Sequence, residues 1–149
     1  MSLQTKVMDA MKTAMKEKNQ MALSSLRAIK SEILLAQTAS GEKQDLSEDD
    51  EIKLLSKLVK QRKDSAAIYL EQDRKDLAEP ELEQAEIISQ FLPAQLSEDE
   101  IEKVVVESIA ATGADGMKDM GKVMGIVSQK LAGQADGKTI SSIVKKKLA

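Results

Sequence analysis

The chain has neither Cys nor His among its 149 residues, so its nucleophile candidates reduce to hydroxyls beside an amine. The best placed are Ser141 and Ser142, each one helical turn before Lys145 or Lys146. That spacing permits contact, but no strained elbow or oxyanion hole accompanies it, and an exposed lysine has no burial to turn it into a base. No catalytic residue is assigned. The same composition excludes thiolate nucleophiles, histidine bases, zinc fingers and disulfides. The carboxylates Glu48 to Glu51 and Glu98 to Glu100 stand at helix starts, where the helix dipole already accounts for them. No metal-ligand set and no glycine-rich phosphate loop ending in Lys-Ser/Thr is present, so neither metal nor cofactor is expected.

The most informative segment is Asp119-Met120-Gly121-Lys122-Val123-Met124-Gly125. Two glycines four apart within a helix cost about 1 kcal/mol each relative to alanine. Some close approach must offset that loss. At about 100° per residue, Met120, Met124, Val127 and Leu131 share one face, and Gly121, Gly125, Ser128 and Ala132 form a neighbouring face of small side chains. Lys118, Lys122 and Gln129 lie beyond it. A shallow strip between an apolar and a lysine-bearing stripe admits either another helix or a sugar-phosphate backbone. Plain helix packing and nucleic-acid binding both remain open at this point.

Charge is unevenly placed. The net charge is −3, but residues 113–149 carry 7 Lys against 3 Asp, while residues 1–95 carry 14 Lys+Arg against 17 Asp+Glu. The basic surplus is C-terminal, and part of it, Lys145 to Lys147, also suits the negative end of a last helix. With three Arg, one Tyr and one Phe, base stacking and bidentate guanine contacts are largely unavailable, which leaves shape and phosphate as the means of reading RNA.

The elements that must hold this segment are helical throughout. An aliphatic, Met-rich core with almost no aromatics favours helices, and no strand-like alternation occurs. Leu3, Val7, Met11 and Ala14 mark a first helix, and Ala22, Leu26, Ile29, Ile33 and Ala36 a second that Gly41 stops. Ser47 caps a long third helix with Ile52, Leu55, Val59, Ala66 and Tyr69 inward and Arg62 as a polar interruption. A fourth begins near Glu79-Pro80, proline being preset for a first turn, and turns Leu82, Ala85, Ile88 and Phe91 inward. Phe91-Leu92-Pro93 then breaks the pattern, and Ser97-Glu98-Asp99-Glu100 reads as a capping box. The fifth helix buries Ile101, Val104, Val105 and Ile109 and stops at Gly113. A sixth, Met117 to Leu131, closes at Gly133, and Asp136-Gly137 opens a seventh carrying Ile140, Ile143, Val144 and Leu148. The expected architecture is all-α, a four-helix N-terminal domain over 1–93 and a small three-helix domain over 94–149.

Four segments, Lys60-Gln61-Arg62-Lys63-Asp64-Ser65, Phe91-Leu92-Pro93-Ala94-Gln95-Leu96-Ser97, Asp119 to Gly125, and Gly133-Gln134-Ala135-Asp136-Gly137-Lys138, resemble the YqeY-like proteins. That family is related to the C-terminal tail of the B subunit of aspartyl/glutamyl-tRNA amidotransferase. The resemblance implies an all-helical two-part fold and a link to transamidation, in which the tail grips the elbow of tRNA and holds no active site. It implies RNA contact at Gly121, Lys122, Gly125, Gly133 and Lys138, which Lys118 joins from the lysine stripe. The chain departs from the amidotransferase in lacking its kinase-like catalytic domain and the amidase Ser-Ser-Lys set.

The leading expectation is therefore a noncatalytic, tRNA-associated accessory module with tRNA and a transamidation protein as partners. The alternative is a helical adaptor that docks a protein helix without RNA. A standalone carbon–nitrogen ligase using glutamine as amido donor comes last, since no residues here activate ammonia, ATP or an acyl group. No apolar run approaches the ~20 residues that span a bilayer, and residues 1–18 show no secretory pattern, so a cytoplasmic setting without membrane contact is expected.

Overall fold

A computed structural model describes residues 2–39 and 41–149. Its helices are α1 (Leu3–Lys16), α2 (Gln20–Thr38), α3 (Glu48–Glu71), α4 (Lys75–Ser89), α5 (Glu98–Thr112), α6 (Met120–Lys130) and α7 (Gly137–Leu148), with one 3-10 turn at Met117–Asp119. No strand occurs among the described residues, so the all-α expectation holds. The backbone gathers into two compact units, Met1–Leu92 and Pro93–Ala149.

In the first unit, α3 and α4 pair as a hairpin through Gln72 to Arg74, and α2 packs on α1 and α4. The core is aliphatic, built on Leu3, Val7, Leu26, Ile29, Ile33, Leu55 and Ile88, with Phe91 and Leu92 packed against it. Side-chain oxygens satisfy the orphan amides at the helix starts: Ser2 accepts from Thr5, Asn19 from Ala22, and Ser47 from Asp50. The reciprocal box forms at Ser47 and Asp50, where each side chain bonds the other's backbone N–H. That box was expected at Ser97 and Glu100. There only the serine half forms, 3.2 Å from the Glu100 N–H, and the longer glutamate stays in water.

In this unit one helix start and two core positions shift. Helix α4 starts at Lys75, five residues before Pro80, not at Glu79-Pro80. The added turn is held by the Arg74 fork on the Asp76 carboxylate at 3.0 and 2.9 Å and by fully buried Ala78. Pro80 then forfeits only the bond its nitrogen would give to the Asp76 carbonyl. Leu82 is 43% exposed, because the inner row of α4 runs through Ala78, Ala85 and Ile88. On α2, Ala36 is exposed and Gln37 continues the row of Ile29 and Ile33. Arg62 bridges the hairpin, its Nε donating to Gln84 Oε1 at 3.0 Å and its guanidinium to the Leu58 carbonyl at 3.2 Å.

The second unit encloses its own core of Ile101, Val105, Val123, Val127, Leu131, Ile140, Val144 and Leu148. Val104 and Ile109, expected to be buried, reach it only partly. Ser108 takes the fully buried place on α5 between their rows.

Candidate nucleic-acid interface

Helix α6 is anchored from its inner side. Val123 and Val127 are fully buried, with Met120 and Met124 half-buried beside them. The apolar stripe is thus centred on Val123, which the helical spacing of Met120, Met124, Val127 and Leu131 leaves out, because the small core seats the β-branched residues deepest. The opposite consequence falls on the glycines. Gly121 and Gly125 are exposed, and a Cβ placed on either would find nothing within 4 Å beyond its own helix backbone. Neither glycine is sealed against another described helix of its own unit. Ser128, Gln129 and Ala132 extend the same open side.

Lys118 and Lys122, one turn apart, are both exposed along it. Lys118 sits in the 3-10 turn, which joins α5 to α6 through a loop with two left-handed glycines, Gly113 (φ 67°) and Gly116 (φ 78°). Asp119 steadies that loop by accepting the Asp115 N–H at 2.8 Å. The sixth helix is accordingly split, a 3-10 turn followed by an α-helix that ends at Lys130.

The remaining candidates lie elsewhere on the unit. Gly133 occupies the turn after α6 at φ 77°, half-buried, and its carbonyl accepts the Gln95 side-chain amide at 2.6 Å. Beside it the Leu96 N–H donates to the Gln134 carbonyl at 2.9 Å. These bonds make Gly133 a fixed point of the fold, and they give Gln95 and Gln134 a role that spacing alone does not assign. The available signal is their membership in two of the four family-like segments.

Lys138 stands in the first turn of α7, whose N-terminus Asp136 caps through the Thr139 N–H at 2.7 Å. It lines a shallow cleft of about 300 Å³ with Glu98, Thr139, Ser142, Ile143 and Lys146. Lys147, by contrast, is paired with Glu102 on α5 at 2.5 Å. That ammonium, by its hydrogen bond and then its charge, holds the Glu102 carboxyl below its ordinary value. The structure therefore gathers Gly121, Lys122 and Gly125 on the exposed side of α6, with Lys118 exposed in the 3-10 turn just before it, and sets Gly133 and Lys138 on the turn and helix that follow. No cluster of three or more Asp or Glu able to hold a metal occurs among the described residues.

Residues 4–148 match the family described as Yqey-like protein. The chain belongs to the YqeY-like family. Curated relatives of this YqeY-like chain include the E subunit of glutamyl-tRNA(Gln) amidotransferase from Thermococcus gammatolerans, 32% identical over 104 residues covering 67% of this chain and 17% of that protein. Its counterpart from Thermococcus sibiricus is 34% identical over 124 residues, 77% of this chain and 20% of that protein. A shorter relative, altered inheritance of mitochondria protein 41 of Pyrenophora tritici-repentis, is 30% identical over 129 residues, 84% of this chain and 68% of that protein. The YqeY-like chain thus spans a fifth or less of the amidotransferase subunits it matches. No helix among its described residues is long and apolar enough to cross a membrane.

Proposed function

We propose that this YqeY-like chain is a noncatalytic accessory module of tRNA transamidation, working in the cytoplasm with a protein partner of that process. It meets the elbow of tRNA by shape and phosphate through its C-terminal unit. One observation carries the reading: Gly121 and Gly125 spend helix stability to keep a smooth strip open beside Lys118 and Lys122, with no described helix of their own unit laid on it. A smooth, cationic helix side lets a phosphate backbone come close, and the lysines meet its charge. The amidotransferase subunits among its relatives agree with that setting.

The test is a tRNA titration at stepped salt concentrations. Affinity should fall linearly on a log–log plot, and Lys122→Glu should weaken it and flatten the slope by about one unit. Salt-independent or absent tRNA binding, together with a protein partner retained after RNase treatment, would transfer the open strip to the adaptor reading.

A further inference from the structure

In the N-terminal unit, the α3–α4 hairpin has one covered side and one open side. Leu54 and Leu58 on α3 and Ile88 on α4 belong to the core of the unit, with Phe91 packed against it. Counting about 100° per residue, Lys60, Lys63 and Leu70 fall on the side of α3 away from Leu54 and Leu58. Leu82, Glu83 and Glu86 fall on the side of α4 away from Ile88 and Phe91. All six are exposed, Leu70 at 50% and Leu82 at 43%. Arg62 sets the level of the two rows: its Nε donates to Gln84 Oε1 at 3.0 Å, and each of those residues stands nine from its helix end at the turn. Lys63 and Glu83 stand eight from it, and Lys60 and Glu86 eleven, so each lysine is level with a glutamate of the other helix. Among the described residues no ion pair joins the two rows. The open side is thus divided lengthwise, positive along α3 and negative along α4, with an exposed leucine on each.

Such a side is its own complement. A twofold axis running along the hairpin lays α3 of one copy on α4 of the other without changing level, because rotation about that axis exchanges left and right only. Each Lys63 then meets Glu83 of the second copy and each Lys60 meets Glu86, twice in the assembly, and Leu70 and Leu82 are covered between them. Lys60 exchanges only its surface pair with Asp64, 2.8 Å long and well exposed, whose net worth is small. A partner of one charge sign does not fit: a phosphate backbone drawn to the lysines would be repelled by Glu83 and Glu86. We propose that the chain forms a twofold dimer through this open side of the α3–α4 hairpin. Two helices side by side, about 30 Å long and about 20 Å across, offer about 600 Å² to a second copy, below the about 800 Å² per partner of a standard interface. The dimer is therefore weak and depends on concentration.

The experiment is sedimentation equilibrium of the full chain over about 5–500 µM, a range that brackets micromolar association. The parent should approach twice the monomer mass as concentration rises, and added salt should weaken it. Lys60→Glu with Lys63→Glu makes both rows acidic, Glu83→Lys with Glu86→Lys makes both basic, and each pair of changes should weaken self-association at least about tenfold. An equimolar mixture of the two variants should regain the dimer, since each acidic α3 row then meets a basic α4 row and each acidic α4 row a basic α3 row. Leu82→Lys, at an exposed position, should break the parent dimer as well, and it decides the matter if a charge variant does not fold. The dimer is overturned if the parent stays monomeric across the range, if the variants associate as the parent does, or if the mixture of folded variants stays monomeric. A monomeric parent whose tRNA binding is lost with Lys60→Glu and Lys63→Glu would give the α3 row to RNA instead.

Discussion

The side-chain amide of Gln95 donates to the carbonyl of Gly133 at 2.6 Å across 38 positions of sequence. Gly133 can offer that carbonyl because the chain turns there at φ 77°, a region that glycine enters without strain. The bond, with Leu96 N–H to Gln134 carbonyl beside it, fastens the segment before α5 to the turn between α6 and α7.

Gly133→Ala should therefore lower the stability of the C-terminal unit by about 1 kcal/mol, the cost of a left-handed alanine. Gln95→Ala should lower it by up to about 1 kcal/mol through the lost hydrogen bond. Urea denaturation checks both. Unchanged midpoints would mean that this turn carries no strain and its bond no weight.

Gly125→Ala should act in the opposite direction. A methyl group there meets open space, so helix propensity alone operates and stability should rise by up to ~1 kcal/mol. The larger Gly125→Leu should leave the unit folded and block tRNA. A fall in melting temperature for Gly125→Ala would show that something covers this side of α6 in solution.

The Glu102 pair with Lys147 sets an acid dependence. A carboxyl held below its ordinary value near 4.5 contributes stability that is present above that pH and is lost as pH falls through the lower folded value. Asp50, lowered by its bonds to Ser47, and Asp76, lowered by Arg74, act with the same sign. In an NMR titration the Glu102 carboxyl should have a lower midpoint in the parent than in Lys147→Ala. Identical midpoints would mean that the pair does not persist in solution.

We further propose that the two units are separately folding domains joined near Pro93. Each has an aliphatic core of its own, and Ala94 and Gln95 are exposed. Limited proteolysis should cut near Phe91 to Ala94, or in the stretch 39–46, before it cuts within a helix. A stable fragment beginning between Ile52 and Tyr69 would contradict this division.

Much of the fold was legible in the sequence because its signals are local. Ser47, Ser97 and Asp136 announce helix starts by what their side chains do for amides three residues on, and Gly113 announces a stop by the one backbone region it enters freely. Aliphatic periodicity placed Val7, Ile29, Leu55, Val105 and Val144 inside for the same reason. Other features depended on neighbours distant in sequence. Pro80 looked like a first turn until Arg74, Asp76 and buried Ala78 supplied an earlier one. Leu82 and Ala36 matched an apolar period, yet the helices opposite them cover Ala85 and Gln37 instead. The spacing of Gly121 and Gly125 fixed only that they share a side of α6. Whether that side is sealed or open depends on where α5 and α7 lie against Val123 and Val127, and only the tertiary structure could place them there.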